Sequence, residues 1–213
     1  MALCSAAALV WIASCSRAPK TDALPPIEAE RPLAAYAAQR ILVTPTGRIR
    51  AADSLGWVAR LGGARVVALR LDTSIVAELS ARGVAPRWVW PADLARAHER
   101  NRTYVPDPYQ LVWEPVRSPK FITGARYGEP LSSQLRTMIA LHDDARYVLL
   151  PIELRFDRAD GSSAGRAVLR AALVDARTTE ARMVADVRGD TSSNPAIALA
   201  KVAAKLADLF VAP

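Results

Sequence analysis

The sequence predicts an α/β (α+β) protein with a single mixed sheet, helices packed on it, and antiparallel carboxyl-terminal strands followed by a final helix. Two observations lead to this class. Several runs in the last third alternate apolar and polar residues, as half-buried strands do. Other segments space their apolar residues three and four apart, as amphipathic helices do. The length of 213 residues, with 51% hydrophobic and 23% charged residues, fits one globular domain with an additional segment.

In the first half of the chain, two apolar and β-branched runs predict strands. The first covers residues 41–43 and the second covers residues 64–71. Asp72 follows the second run at a position where its carboxylate would cap the start of a helix. Gly83 would end that helix, because glycine readily adopts the left-handed conformation found after helix termini.

The middle of the chain is less regular. The sequence Pro-Arg-Trp-Val-Trp-Pro at residues 86–91 predicts a short strand, and the proline that ends it predicts the start of a helix. Residues 102–131 are rich in proline, glycine and aromatic side chains, and predict a loop that is long for a compact domain. Residues 131–142 predict an amphipathic helix.

Aromatic side chains of this middle region either pack the long loop onto the domain or form a contact site for a partner. In the second case Trp88 and Trp90 would contribute to the same contact site, because the two-residue period of a strand places them on one side. The candidate partner-contact residues are Trp88, Trp90, Tyr104, Tyr109 and Trp113.

The carboxyl-terminal third gives the clearest pattern. It predicts three successive strands at 146–156, 166–175 and 181–188, joined by short turns. The second half of the first run and the third run alternate apolar and polar residues. Asn194 precedes a proline and an amphipathic stripe, which predicts an N-cap and the final helix.

The amino-terminal residues 2–13 form an uncharged apolar run. A dozen such residues are too few for a membrane span, which needs about 20, but they suit the apolar region of a secretory signal. The run ends in Ile-Ala-Ser-Cys at residues 12–15, which resembles the lipobox of bacterial lipoproteins. One feature departs from that family: its signals begin with Lys or Arg, and here the first basic residue is Arg17. The other interpretation is a buried apolar helix with a core cysteine.

The lipobox resemblance implies a division of the chain into three parts. Residues 1–14 would be a signal peptide that is cleaved off, and residues 15–38 a lipidated cysteine with a proline-rich tether. Residues 39–213 would be a single α/β envelope domain. Cys15 would carry the lipid that attaches the protein to the membrane, and Ser16, which is not an aspartate, favours the outer membrane by the sorting rule of that family.

Charge and cysteine content fit an exported protein. Cleavage would remove Cys4 and leave only the lipidated Cys15, so the domain would have neither a free thiol nor a disulfide. The net charge of +7 comes mainly from arginine. Either a GC-rich genome explains this bias, or the arginines face anionic lipid, lipopolysaccharide or peptidoglycan. No nucleic acid is expected as a partner, because the basic residues are dispersed and no nucleic-acid motif is present.

Two segments of the domain resemble a group of periplasmic domains. They are Asp-Ala-Arg-Tyr-Val-Leu-Leu-Pro at residues 144–151 and Leu-Val-Asp-Ala-Arg-Thr-Thr-Glu at residues 173–180. The group includes the amino-terminal domain of the periplasmic Tol translocation protein, the curli-secretion lipoprotein and lipoprotein activators of peptidoglycan synthases. Their hairpin turn reads Thr-Gly-Glu where this chain has Thr-Thr-Glu. The resemblance implies a non-enzymatic domain that binds proteins or assembles in the envelope.

The residue inventory does not predict an enzyme. No Gly-x-Ser-x-Gly motif occurs, no Cys/His spacing suits zinc, and no cofactor or metal site is expected. His98 and His142 lie on separate predicted helices; a hydrolase would have to use one of them.

Two functional hypotheses therefore stand. In the preferred one, a membrane-anchored lipoprotein docks on an envelope protein or on copies of itself. In the alternative, a periplasmic module binds a soluble or cell-wall anionic ligand under the long loop, through Arg87, Arg117 and Arg126.

Overall fold

The computed structural model describes residues 31–84, 86–142, 145–159 and 164–212. Within these ranges the chain forms seven α-helices, one 3₁₀ turn and five strands. In chain order they are α1 (Ala34–Ala37), β1 (Ile41–Val43), β2 (Arg48–Ile49), α2 (Trp57–Arg60), α3 (Ala64–Ala81), α4 (Pro91–Arg100), the 3₁₀ turn (Pro108–Gln110), α5 (Glu114–Arg117), α6 (Leu131–Ala140), β3 (Tyr147–Arg158), β4 (Gly165–Asp175), β5 (Glu180–Arg188) and α7 (Pro195–Asp208).

The strands form one mixed sheet in the order β1-β3-β4-β5, and β2 pairs with β3 further along the same edge. β1 and β2 run parallel to β3, whereas β3, β4 and β5 are antiparallel neighbours. The final helix follows the last strand. The fold class predicted from the sequence is therefore confirmed.

Helices cover the sheet on both sides. On the first face, which carries Leu149 and Leu169, α3 and α7 bury their apolar sides. On the second face, which carries Leu150 and Val174, α6 and the segment 102–131 supply the cover. Burial of apolar surface between these layers is the main force that holds them together.

The apolar run at residues 64–71 is the first half of α3, so the predicted strand is wrong. Val67 and Leu71 lie four residues apart and are both fully buried, as expected for one side of a helix. The alanines, leucine and arginines around the valine pair are strong helix formers and outweigh it. Gly63, with a φ of 93°, precedes the helix, and Asp72 lies in its middle rather than at an N-cap.

The predicted end of this helix is confirmed. Gly83 has a φ of 81°, in the left-handed region, and its N–H donates to the carbonyl of Ser80 at 2.9 Å. The N–H of Val84 reaches the carbonyl of Leu79 at 3.4 Å. These two bonds form a Schellman motif, which satisfies carbonyls that the end of the helix leaves free.

The predicted strand around Val89 is a single bridge on the outer side of β1. The N–H of Val89 donates to the carbonyl of Ile41 at 2.9 Å, and its carbonyl accepts from Val43 at 2.8 Å. Trp88 and Trp90 do lie on one side, with their ring centroids 5.9 Å apart.

The remaining elements follow the sequence pattern. α4 begins at Pro91, α6 occupies most of the predicted helix at 131–142, and the three predicted carboxyl-terminal strands are β3, β4 and β5. Asn194 caps α7, because its side chain accepts from the N–H of Ala196 at 2.9 Å. The segment 102–131 holds only the 3₁₀ turn and α5.

The turn between β4 and β5 has the predicted hairpin form. The carboxylate of Asp175 accepts from the N–H groups of Arg177 at 3.0 Å and Thr178 at 3.2 Å. Thr179 has a φ of 59°, in the left-handed region that favours glycine. It occupies the position where the resembled periplasmic domains carry glycine.

The folded domain begins earlier than residue 39. Leu33 is 1% exposed, and its N–H donates to the carbonyl of Leu209 at 3.0 Å. The ring of Tyr36 packs edge-on against Tyr147, with 4.9 Å between centroids. The predicted tether is therefore too long at its carboxyl end. The predicted signal peptide and Cys15 lie outside the described residues.

Candidate functional site

An apolar groove of about 490 Å³ lies between α3 and α4, and Tyr109 also lines it. Its walls are mostly aliphatic and aromatic, and they also hold the carboxylates of Asp72 and Asp93 and the guanidinium group of Arg96. The side chains that define its shape and chemistry are Leu69, Asp72, Val76, Trp90, Pro91 and Tyr109.

The groove exists because α3 is apolar on more than its buried side. Ile75 and Leu79 continue the stripe that packs on the first face of the sheet. Leu69, however, points outward and is 46% exposed, and Val66 and Val76 are half-buried. Apolar side chains grouped on the exposed side of a helix are typical of a contact with a partner. The outer side of α3 is therefore a candidate contact surface.

Two local hydrogen bonds place the aromatic walls of the groove. The N–H of Trp90 donates to the carboxylate of Asp93 at 3.0 Å, which holds Trp90 at the entry to α4. The carboxylate of Asp107 accepts from the N–H of Tyr109 at 2.9 Å, which fixes the 3₁₀ turn. Tyr109 itself is 53% exposed.

Asp72 is a buried carboxylate at the base of the groove. One of its oxygens, Oδ1, accepts from the N–H of Thr46 at 2.9 Å and from the hydroxyl of Thr46 at 2.6 Å. Burial raises the pKa of Asp72 to about 6, although these two hydrogen bonds act in the opposite direction. Burial and the nearby Asp72 also raise the pKa of Tyr109.

This arrangement suits binding of an apolar group that brings one hydrogen-bond donor. Small numbers of polar groups in a mostly apolar cavity are typical of binding sites, where they set orientation. A buried carboxylate with a shifted pKa is a common mark of such sites.

The structure brings together two of the five aromatic residues predicted as partner contacts, Trp90 and Tyr109. Trp88 is 4% exposed and packs against Phe210 at 4.9 Å between centroids, so it belongs to the core and the prediction is wrong for it. Tyr104 is exposed but lines a different surface depression, beside His98. Trp113 is half-buried beside Gly47, where an added Cβ would come within 2.5 Å of the indole ring.

The sequence pattern did not reveal Leu69 and Val76 as parts of a site. Leu69 lies in the run that was interpreted as a strand, which would have placed it differently, whereas Val76 lies in the helix predicted after Asp72. The signal that could have revealed them is the seven-residue spacing of two outward apolar residues on one helix.

The other candidate residues are dispersed. Arg87 and Arg126 are exposed at separate places, whereas Arg117 joins a cluster of arginines on the second face of the sheet. His98 lies on α4, with its Nδ1 atom 2.7 Å from the carbonyl oxygen of Val105. His142 lies just beyond the end of α6.

The described part of the chain lacks two kinds of feature. No group of three or more His, Cys, Asp and Glu residues there is placed to hold a metal ion. None of the helices described has both the length and the apolar composition that a bilayer span requires.

Comparison with known proteins gives a distant structural similarity. No protein-family model and no curated protein matches the chain. Among solved structures, the PelC dodecamer from Paraburkholderia phytofirmans is 13% identical with a TM-score of 0.38, and the match covers 81% of this chain and 88% of that one. A single-residue variant of the same dodecamer is 12% identical with a TM-score of 0.38, covering 82% and 90%. At this TM-score the similarity does not assign the chain to a family.

Proposed function

We propose that the chain is a bacterial lipoprotein, anchored through Cys15, whose domain acts in the cell envelope by binding another protein. The proposed role is binding and not catalysis. The observation that carries the binding role is the open apolar groove between α3 and α4. The lipobox-like sequence at residues 12–15 supports the anchor, and Ser16 favours the outer membrane.

The proposed occupant is a protein segment with apolar side chains flanked by carboxylates. The apolar part would fill the space between Leu69 and Trp90. Two exposed cations of α3 flank the groove: Arg65 lies close enough to influence Tyr109 electrostatically, and Arg70 lines an adjoining depression with Leu69. These cations favour a partner that carries carboxylates outside its apolar part, whereas Asp72 and Asp93 in the lining disfavour a carboxylate inside the groove. A second copy is disfavoured, because each chain carries a net charge of +7.

The lipid anchor would act by raising the effective concentration of the domain at the membrane surface. Two or more acyl chains hold a protein stably at a bilayer, whereas one chain binds reversibly. Confinement to the membrane surface raises the effective concentration of the domain near any envelope partner, so a groove of modest affinity suffices.

Replacing Cys15 by alanine is expected to abolish lipid attachment. The wild-type protein should incorporate radiolabelled palmitate and sediment with membranes, whereas C15A should do neither. Palmitate incorporation measured on immunoprecipitated protein checks this. Equal labelling of both proteins, or no labelling of the wild type, would remove the anchor from the proposal and leave the groove untouched.

A photo-crosslinking side chain at position 69 is expected to capture one defined partner in intact cells. Position 122 is the matched control, because Ile122 is also a large exposed aliphatic residue but lies in the segment 102–131. The adduct should form at position 69 and not at 122, and Tyr109→Ser should reduce it several-fold. Mass spectrometry should identify a partner segment with apolar and acidic residues.

Two results of that experiment would contradict the proposal. An adduct between two copies of this chain would make the groove a self-association surface. Adducts of equal yield at positions 69 and 122 would show that the groove has no selectivity.

A further inference from the structure

A second site lies on the second face of the sheet, beyond the part covered by α6. An irregularity in the pairing of β3 with β4 between Pro151 and Glu153 produces it. Leu150 and Ile152 point into the core of the second face, but Leu154 packs on the first face. A β-bulge shifts the alternation by one residue in this way. As a result, the polar residues that follow the bulge on β3 lie on the second face.

These polar residues form a pocket of about 480 Å³ together with side chains from neighbouring elements. Four guanidinium groups and two carboxylates line it. They are Arg50, Arg117, Arg155, Arg170, Glu153 and Asp186. β2 supplies the segment that ends at Arg50, α5 supplies Arg117, and the three long strands supply the rest.

Two of the arginines neutralise the two carboxylates. The Nη2 atom of Arg50 lies 2.7 Å from Glu153, and the Nη2 atom of Arg155 lies 3.0 Å from Asp186. Among the side chains that line the pocket, four cations face two anions, and Arg155 also contacts Asp157, outside the lining, at 3.3 Å.

Of these four arginines, Arg117 and Arg170 have the more distant carboxylate partners. Each makes only a long contact with a carboxylate: Glu114 lies 3.9 Å from Arg117, and Asp186 lies 3.9 Å from Arg170. Arg170 instead donates to the neutral carbonyl of Phe121 at 2.8 Å. The Nε atoms of both arginines are shielded and have no acceptor among the described residues. Neither guanidinium is therefore satisfied by the protein alone.

We propose that this pocket binds a phosphate-type oxyanion with two negative charges, held by Arg117 and Arg170. Planar guanidinium groups match the geometry of phosphate oxygens and bind them with paired hydrogen bonds. Selectivity over chloride is expected, because a single spherical ion cannot accept the paired hydrogen bonds that phosphate oxygens accept. This site lies on the opposite face of the sheet from α3, and its existence does not depend on the groove or its partner.

The phosphate group has two sources, a soluble phosphate or the headgroup of a lipid. Titration calorimetry of the full chain in detergent distinguishes these two sources. The ionic strength is held constant with a chloride salt. Inorganic phosphate is one probe, and short-chain phosphatidic acid is the other. Tighter binding of phosphatidic acid assigns the lipid source, and equal or tighter binding of inorganic phosphate assigns the soluble one.

Arg117→Gln is expected to weaken phosphate binding about tenfold, which is the loss expected for one charge-assisted hydrogen-bond pair. Arg126→Gln is the matched control, because it removes the same charge from an exposed position in the same segment and should bind like the wild type. Arg170→Lys keeps the charge but loses the planar fork, and should also bind more weakly.

The proposal is overturned if the wild type shows no saturable binding of inorganic phosphate or phosphatidic acid. It is also overturned if Arg117→Gln and Arg126→Gln lose affinity equally, since the effect would then follow net charge and not the pocket. Near-identical melting temperatures of these two variants would show that both remain folded.

Discussion

Replacing Asp72 by asparagine is expected to stabilise the domain by up to about 3 kcal/mol near pH 8 and to change its stability little near pH 4. The pKa of Asp72 is about 6 in the folded chain, and its ordinary value of 3.8 represents the unfolded chain. Between these two values the folded protein binds more protons than the unfolded one. Its stability therefore falls as the pH rises through this window, and ionised Asp72 is a cost above it.

Asparagine keeps the acceptor that Asp72 offers to Thr46 and carries no charge, so it should escape this cost. Urea unfolding of both proteins at the two pH values measures the difference. Asp190→Asn, at an exposed position, is the control and should change stability by less than about 0.5 kcal/mol. If Asp72→Asn were less stable than the wild type near pH 8, the carboxylate would be a stabilising anion, and the burial argument would be wrong. If Asp72→Asn is more stable, the natural chain keeps a carboxylate that lowers the stability of the domain at a position where the groove needs a polar contact.

Replacing Asp175 by alanine is expected to lower the free energy of unfolding by about 3 kcal/mol. The Asp175 side chain is fully buried and accepts from Nε of Arg146 at 2.7 Å and from Arg182 at 3.3 Å. It also accepts from two N–H groups of the hairpin turn, which alanine would leave without an acceptor. The loss of unfolding free energy should lie at the lower end of the range for broken buried ion pairs, because the side chains of both arginines are partly exposed to water.

The pH dependence of this effect has the opposite sign to that of Asp72. Burial acts to raise the pKa of Asp175, but the hydrogen bonds from Arg146, Thr178, Arg182 and Arg177 outweigh it and lower the pKa below its ordinary value. The stabilisation from Asp175 is therefore present above the unfolded pKa and is lost as the pH falls through the folded one. The difference between wild type and Asp175→Ala should shrink in acid. A difference that stayed constant down to about pH 2 would contradict the ionic part of the argument.

Asp175→Asn separates the contribution of the hydrogen bonds in the hairpin turn from that of the ion pairs. Its amide oxygen still accepts from the two backbone N–H groups, but it attracts the arginines less. The expected stability lies between those of the wild type and Asp175→Ala, as measured by urea unfolding at neutral pH. Equal stability of the two variants would assign the whole effect to the ion pairs.

The sequence predicts the carboxyl-terminal half of this fold well because the end of β3 and most of β5 are buried on one side only. Polar residues such as Glu153 and Arg155 alternate with buried ones there, and the period of two is visible. The first half is harder. α3 buries one side and leaves other apolar residues, such as Leu69, outside, so neither the period of a strand nor that of an amphipathic helix is clear.

The groove and the arginine pocket are difficult to predict from the sequence for different reasons. The groove exists because α3 is a helix, and the pair Val66-Val67 led to the wrong prediction of a strand there. Two of its aromatic residues, Trp90 and Tyr109, were nevertheless among the predicted contact residues. The arginine pocket depends on the bulge near Ile152, which moves residues between faces without any residue type that marks it. Arg117 could be singled out from the sequence, but its neighbours in space are distant along the chain.

The contact of Leu33 with the end of α7 limits how far the domain could lie from a membrane to which Cys15 anchors it, as we propose. Seventeen residues, 16–32, separate the proposed lipidation site from Leu33, and a fully extended chain of that length spans at most about 60 Å. Under the proposed function, a partner would have to bring its acidic, apolar segment within that distance of the membrane, plus the width of the domain. A partner confined to the opposite membrane would be out of range unless it projects across the intervening space.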